Sequence, residues 1–191
     1  MYETSIQASA LSIGTFTVQG GDGTMPPLVC LKNTNNIYSY MPNLQQINTL
    51  IKSYSPRIYN HPRDEYLPSS VEWFFSNGAL LFKKDNSSNP VKIDPTGSNL
   101  PQGGSNDGLY WIDLPRDKNS REMTKKCYIG SVNAYFHIKP MLGGTYTDIA
   151  IWLFYPFNGA SSAKVGILSI PLGKIGEHVG DWEHVTLRIS N

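Results

Sequence analysis

A chain of 191 residues is long enough for one domain or slightly more. Hydrophobic residues make up 40% and charged residues only 16%, a composition that supports a core and excludes a disordered or solvating segment. Sixteen Lys and Arg against fifteen Asp and Glu leave a net charge of +1, which gives no footing for nucleic acid, because counterion release needs clustered cations.

Met1 to Thr4 lack a basic start followed by an apolar run, so no signal peptide is read there. Residues 1–27 form a Ser-, Thr- and Gly-rich lead-in, in which the alternation from Ile13 to Val18 predicts one strand. Gly20 to Pro27 is a turn or loop, because glycines allow positive φ and prolines end pairing. The main domain is expected over 28–191. Leu44, Ile47, Ile51 and Tyr54 recur at three- and four-residue spacing, and Pro42 suits a first helical position, so Pro42 to Tyr54 is predicted as a helix. Ser69-Ser-Val-Glu72 has capping-box spacing and predicts a short helix to Ser76, stopped by Asn77-Gly78.

Ala79 to Phe82 then reads as a strand, and Asn86 to Gly108 as a long polar loop. Arg121 to Lys126 is the densest basic stretch and reads as a solvated loop. Tyr110 to Leu114, Val132 to Lys139, Asp148 to Phe154, Lys164 to Ile170 and Glu183 to Ile189 are rich in β-branched and aromatic residues and predict strands. The longest apolar run, Ile149 to Phe157, falls far short of the roughly 20 residues a membrane helix needs. Cys30 and Cys127 read as buried free thiols of a reducing compartment, with a single bridge between them left open. These elements predict a mainly β, β-sandwich-like fold with two minor helices, or an incomplete α+β domain. The alternation Val185, Leu187, Ile189 stops in mid-pattern, which suggests a domain truncated at its C-terminus.

The chemistry-bearing segment is His178-Val-Gly-Asp-Trp-Glu-His184. If Glu183 to Ile189 is a strand, alternation puts Asp181 and Glu183 on the face of Val185, Leu187 and Ile189, and turns His184, Thr186 and Arg188 away. Two carboxylates on a core side are costly unless paired or metal-bound. A bend at Gly180 brings His178 to the same point. Three readings follow: a salt-bridge cluster with Lys174 or Arg188, a divalent-metal site, or acid–base chemistry by the carboxylate pair with His178. One imidazole with carboxylates suits Mg²⁺ or Ca²⁺ ahead of Mn²⁺ or Zn²⁺.

Ile170-Pro-Leu-Gly-Lys-Ile-Gly-Glu-His-Val-Gly-Asp-Trp-Glu-His-Val-Thr-Leu-Arg-Ile-Ser190 resembles the plant branch of the vacuolar protein sorting-associated protein 62 family, a plant domain of unknown function. Met41-Pro-Asn-Leu-Gln-Gln-Ile47, Trp73-Phe-Phe-Ser-Asn-Gly-Ala-Leu-Leu81, Lys139-Pro-Met-Leu-Gly-Gly-Thr145 and Pro156-Phe-Asn-Gly159 carry the same resemblance. It runs from about Leu28 to the end and weakens before that. Family members are longer, so the resemblance also implies truncation. It implies a name drawn from vacuolar sorting but no established chemistry, because a family does not fix a site's activity. In His61-Pro-Arg-Asp-Glu-Tyr66, Arg63 intervenes where the family has its acidic pair directly after His-Pro.

The cluster is also similar, more distantly, to the heptapeptide Gly-His-Arg-His-Asp-Trp-Glu of the secreted necrosis-inducing proteins. Those are β-sandwiches that bind a divalent cation and recognise sphingolipid headgroups. The likeness matches His178, Asp181, Trp182 and Glu183 to that motif, and places Asn158 where the family has a further aspartate ligand. Glu177, Val179 and Gly180 depart from it, which speaks against the toxin activity.

Asp94, Asn106 and Asp107 in the glycine-rich loop are candidates for Ca²⁺, against an ordered loop bonded to itself; the loop lacks the ending of a phosphate loop. His137 reads as a packed strand residue, and Trp73, Trp111, Trp152 and Trp182 as core. The expected function is a non-enzymatic, cation-dependent recognition module for a membrane lipid headgroup, a glycan or a protein partner. Its metal ligands would be His178, Asp181, Glu183 and Asn158, with His184, Asp94 and Asp107 as secondary candidates. A metal-dependent hydrolase using His178, Asp181 and Glu183, with Glu183 or His184 as base, is the rival, and a purely structural module the third reading. A cytoplasmic or peripheral endomembrane location is expected.

Overall fold

The computed structural model describes residues 2–4, 14–17, 42–102 and 108–190. The elements in chain order are β1 (Tyr2–Thr4), β2 (Gly14–Thr17), α1 (Leu44–Tyr54), β3 (Ile58–Asn60), α2 (Val71–Ser76), β4 (Leu80–Lys83), β5 (Val91–Lys92), β6 (Tyr110–Asp113), α3 (Lys118–Lys126), β7 (Asn133–Met141), β8 (Tyr146–Asn158), β9 (Ser162–Val165), β10 (Leu168–Pro171) and β11 (His178–Ser190). The fold is mainly β with minor helices, as the alternating patterns predict. The chain divides into two compact units: Met1–Asp64, Gly130–Phe154 and Trp182–Asn191 form the first, Glu65–Ile129 and Tyr155–Asp181 the second. The expected boundary after residue 27 lies outside the described residues.

The first unit is built on a four-stranded sheet in the order β11-β8-β7-β2. β7 and β8 pair antiparallel from Ala134↔Leu153 to Met141↔Tyr146. The pleat sends Ala134 and Phe136 of β7, with Ile149, Ile151 and Leu153 of β8, to one buried face. The turn between the strands runs through Gly143 and Gly144, both at positive φ. Helix α1 starts at a capping box: the Asn43 side chain accepts from the Gln46 amide, and the Gln46 side chain accepts from the Asn43 amide. The cap is therefore Asn43, and Pro42 precedes it instead of opening the helix. Ile47 and Ile51 are buried, while Leu44 and Tyr54, expected on the same stripe, are exposed.

In the second unit, β5-β4-β6 form a three-stranded antiparallel sheet. Ser70, not Ser69, caps α2 by accepting from the Trp73 amide. Arg116 lies over the Phe82 ring and donates to the carbonyls of Ser87 and Ser88, which ties down the start of the polar loop. The basic stretch expected as a loop is helix α3. Its cap is Asp117, whose carboxylate accepts from the Ser120 amide, and Lys125 and Lys126 fall in the last turn where cations favour a helix. Only Thr124 of this helix is buried, so it carries almost no apolar periodicity. The strand expected over Lys164 to Ile170 is a hairpin, broken at Gly166-Ile167 and paired from Leu168↔Val165 to Pro171↔Ser162. Gly166 takes φ 63, which a two-residue hairpin turn of this kind asks of its first central residue.

Two further expectations change. None of the four tryptophans is fully buried, and Trp111 and Trp182 are 40% and 43% exposed. His137 is exposed. Alternation puts it with Trp152, Lys139 and Asp148 on the side of the sheet opposite the buried face.

Gly78 marks a tight crossing. It sits at φ 130, and a Cβ there would lie 2.7 Å from both Pro115 Cγ and Thr124 Oγ1. Thr124 Oγ1 in turn donates to Asn77 O at 2.7 Å. Gly78→Ala should therefore destabilise the chain by about 1–3 kcal/mol, read as a lowered urea midpoint; an unchanged midpoint would contradict this packing.

Arg188 of β11 clamps Asp148 of β8 with two hydrogen bonds, at 2.7 and 2.8 Å. The hydrogen bond from Arg188 is the main reason the Asp148 carboxyl titrates below its ordinary value. A depressed carboxyl adds stability above its unfolded-state pKa and loses it as pH falls through the folded one. The wild type should melt above Arg188→Ala at neutral pH, with the gap closing as pH drops below the ordinary carboxylate range. A gap independent of pH would remove the ion pair as its cause.

Candidate functional site

Pro156-Phe-Asn-Gly159 ends β8 and positions the first polar group of the site. Phe157 is buried, with Tyr66 edge-on at 4.8 Å and the Lys125 ammonium 4.4 Å from its ring centre. Tyr66 also lies on Gly159, where a Cβ would come within 2.6 Å of its ring, so a side chain at 159 would displace it. Burial is the main reason the Tyr66 phenol titrates above its ordinary value. The adjacent Asn158 is thereby held at the end of the strand.

Asn158 Nδ2 donates to the Gly176 carbonyl at 3.2 Å and lies 3.3 Å from His178 Nε2. His178 Nδ1 lies 3.2 Å from the Gly180 carbonyl. Carbonyl oxygens only accept, so Nδ1 carries the imidazole proton and Nε2 is left as an acceptor for the Asn158 amide. Gly180 allows this with φ 72, a backbone value that bends the start of β11 under its own histidine. Asp181 Oδ1 lies 3.9 Å from His178 Nε2, beyond hydrogen-bond reach but close enough for both atoms to face one small cation. The His178 and Asp181 side chains are 48% and 23% exposed, so the pair is open to solvent.

The expected set is thus brought together in part. His178, Asp181 and Asn158 converge. Glu183 is exposed two residues further along β11, where the strand rise separates its Cα from that of Asp181 by roughly 7 Å. Among the described residues, no three His, Cys, Asp or Glu side chains gather closely enough to hold a metal. The core-side placement of Glu183 fails as well. β11 is the end strand of its sheet among the described strands, and residues 182–186 are exposed.

His184 faces the other way, as alternation predicts, and stacks on Trp152 with ring centres 4.1 Å apart. Trp182 sits edge-on to Tyr135 at 5.0 Å and lies 5.0 Å from Phe154. The Trp of the heptapeptide-like motif therefore anchors the strand to its own sheet. Asp94, the candidate in the polar loop, accepts from Ser98 Oγ at 2.7 Å and from the Gly97 amide through its carbonyl, as a self-bonded loop should. Asn106 and Asp107 lie outside the described residues. Cys127 is a free thiol donating to the Leu67 carbonyl at 2.9 Å; burial pushes its pKa up to about 11, so it stays protonated at neutral pH. Cys30 lies outside the described residues.

Sequence reasoning missed two carbonyls: that of Gly180, which bonds the imidazole, and that of Gly176, which orients the Asn158 amide. Their only signal was the glycine spacing around His178. The groups that could hold a cation are one imidazole nitrogen and one carboxylate, with an amide oxygen only if the Asn158 amide turns over. They do not form a closed cage including Glu183.

In comparisons with known proteins, the family model described as vacuolar protein sorting-associated protein 62 matches residues 2–191. No curated protein and no solved structure matches the chain.

The network makes the His178 tautomer measurable. Nitrogen-15 NMR at neutral pH should find His178 with its proton on Nδ1, the minor form of free imidazole. Asn158→Ala should shift it toward the mixture. An Nε2-protonated ring in the wild type would refute the network.

Proposed function

Since the chain belongs to the vacuolar protein sorting-associated protein 62 family, we propose that it is a non-enzymatic sorting module that recognises its partner through a divalent cation at His178, Asp181 and Asn158. The supporting observation is the unprotonated His178 Nε2 beside the Asp181 carboxylate, its lone pair engaged only by the Asn158 amide, with the opposite ring nitrogen bonded to a backbone carbonyl. Metal-binding histidines are held by this kind of outer bond, which sets the tautomer and the ring direction.

Asn158 would contribute its Oδ1 after a half-turn of the amide, giving up the bonds its Nδ2 now makes to Gly176 and His178. Three protein donors leave coordination positions for a lipid headgroup, a glycan or a protein carboxylate. Oxygen donors with a single imidazole favour Mg²⁺ or Ca²⁺ over Mn²⁺ or Zn²⁺. No helix among the described residues is long and apolar enough to cross a membrane. The module would work in the cytoplasm or on an endomembrane surface.

The Asn158 bonds to Gly176 and His178 favour a second reading, in which the same residues only clasp the end of β8 to the start of β11. Metal titration followed by thermal unfolding separates the two. A cation that binds only the folded chain, at 100 times its Kd, stabilises it by about 2.7 kcal/mol. The expected result is a raised midpoint with Mg²⁺ or Ca²⁺, lost in Asp181→Asn and His178→Ala and retained in Glu183→Gln. No shift with Ca²⁺, Mg²⁺, Mn²⁺ or Zn²⁺ would end the cation reading and leave the clasp.

A further inference from the structure

The β9–β10 hairpin has two unlike faces. Cross-strand partners share a face, so Val165 and Leu168, with Ala163 and Ile170, make one side. Lys164 with Ser169, and Ser162 with Pro171, make the other. Among the described residues nothing covers the apolar side: Val165 is 59% exposed, Leu168 64% and Ile170 46%. At the tip, Ile167 is fully exposed, at 101%. Gly166 closes the turn at φ 63, and a side chain built there would meet nothing within 4 Å. A turn normally carries polar residues, and an isoleucine fully in water at a hairpin tip packs against none of the described residues.

The charges point to what covers this surface. Between Ser161 and Gly176 the sequence contains two lysines, Lys164 and Lys174, and no carboxylate. The base of the hairpin is clasped: the Ser161 amide donates to Ile175 O at 2.8 Å, and the Leu172 amide to Ser161 O at 3.0 Å. The tip is therefore carried on a braced stem. An exposed apolar end with two lysines on its hairpin and stem, and its first carboxylate only at Glu177, matches a bilayer surface, with acyl chains below and anionic headgroups at the level of the lysines.

We propose that the β9–β10 hairpin docks the chain on an anionic membrane surface, with Val165, Ile167 and Leu168 entering the acyl boundary and Lys164 and Lys174 pairing with lipid phosphates. This does not rest on the cation at His178, so the two readings fail separately.

The test uses the full chain with vesicles of phosphatidylcholine alone or with roughly a third phosphatidylserine, in EDTA, so that no divalent cation contributes. Co-sedimentation should show binding to the anionic vesicles that weakens in high salt. Ile167→Asp should reduce it at least ten-fold, Ile167→Leu should preserve it, and Lys164→Glu with Lys174→Glu should abolish the preference for phosphatidylserine. Ile167 packs against none of the described residues, so the Asp variant should fold, which its unfolding curve checks. Equal binding by wild type and Ile167→Asp would overturn the proposal, as would no binding to anionic vesicles in EDTA. Self-association that Ile167→Asp abolishes, without vesicle binding, would assign the hairpin to a contact between copies of the chain and likewise overturn it.

Discussion

The alternation along β8 is the constraint on which the first unit depends. Thr147, Ile149, Ile151 and Leu153 point to one face and are buried there, opposite Ala134 and Phe136 of β7. Fully burying an aliphatic side chain of this size stabilises by roughly 1.5–3 kcal/mol, so a one-residue slip would forfeit several such terms at once. β8 is also bonded on both sides, by β7 and β11. It thus sets the pleat for both neighbours, and side chains on β11 take their direction from it.

That direction explains why the acid and histidine segment differs from a core cluster. An end strand has a neighbour on one side only, so it buries less of either face. Trp182, His184 and Arg188 use the outer face, against Tyr135, Trp152 and Asp148 of the same sheet. Glu183 and Val185 remain in water. The carboxylate of Glu183 therefore needs no partner, and the desolvation argument for pairing it with Asp181 disappears. His178 and Asp181 flank the Gly180 bend, where the Gly180 carbonyl and Asn158 take over the ordering of the imidazole.

Much of the fold was legible because burial and period go together. Ile47 and Ile51 lie one turn apart and mark α1; β7 and β8 alternate cleanly. Helix α3 was hidden because it is made by a cap and by charge, with one buried threonine and no apolar stripe. The β9–β10 hairpin read as a single strand because Val165, Ile167, Leu168 and Ile170 are all β-formers or apolar, and one glycine carries the turn. At the site, convergence of His178, Asp181 and Asn158 was foreseen in part from motif likeness, but inclusion of Glu183 assumed a buried strand.

The sequence by itself determined the mainly β class, the principal strands and helices α1 and α2, and the family, since these depend on local period, caps and motif spacing. It also set which β11 residues oppose one another, because alternation is a property of the backbone. Only the tertiary structure decided that β11 lies at the end of its described sheet, and hence that Glu183 stays solvated and Trp182 anchors outward. It alone decided the tautomer of His178, which depends on the Gly180 carbonyl and on an Asn158 amide held by Gly176. Burial and hydrogen-bond partnership across strands arise from which segments become neighbours, and no local pattern carries that.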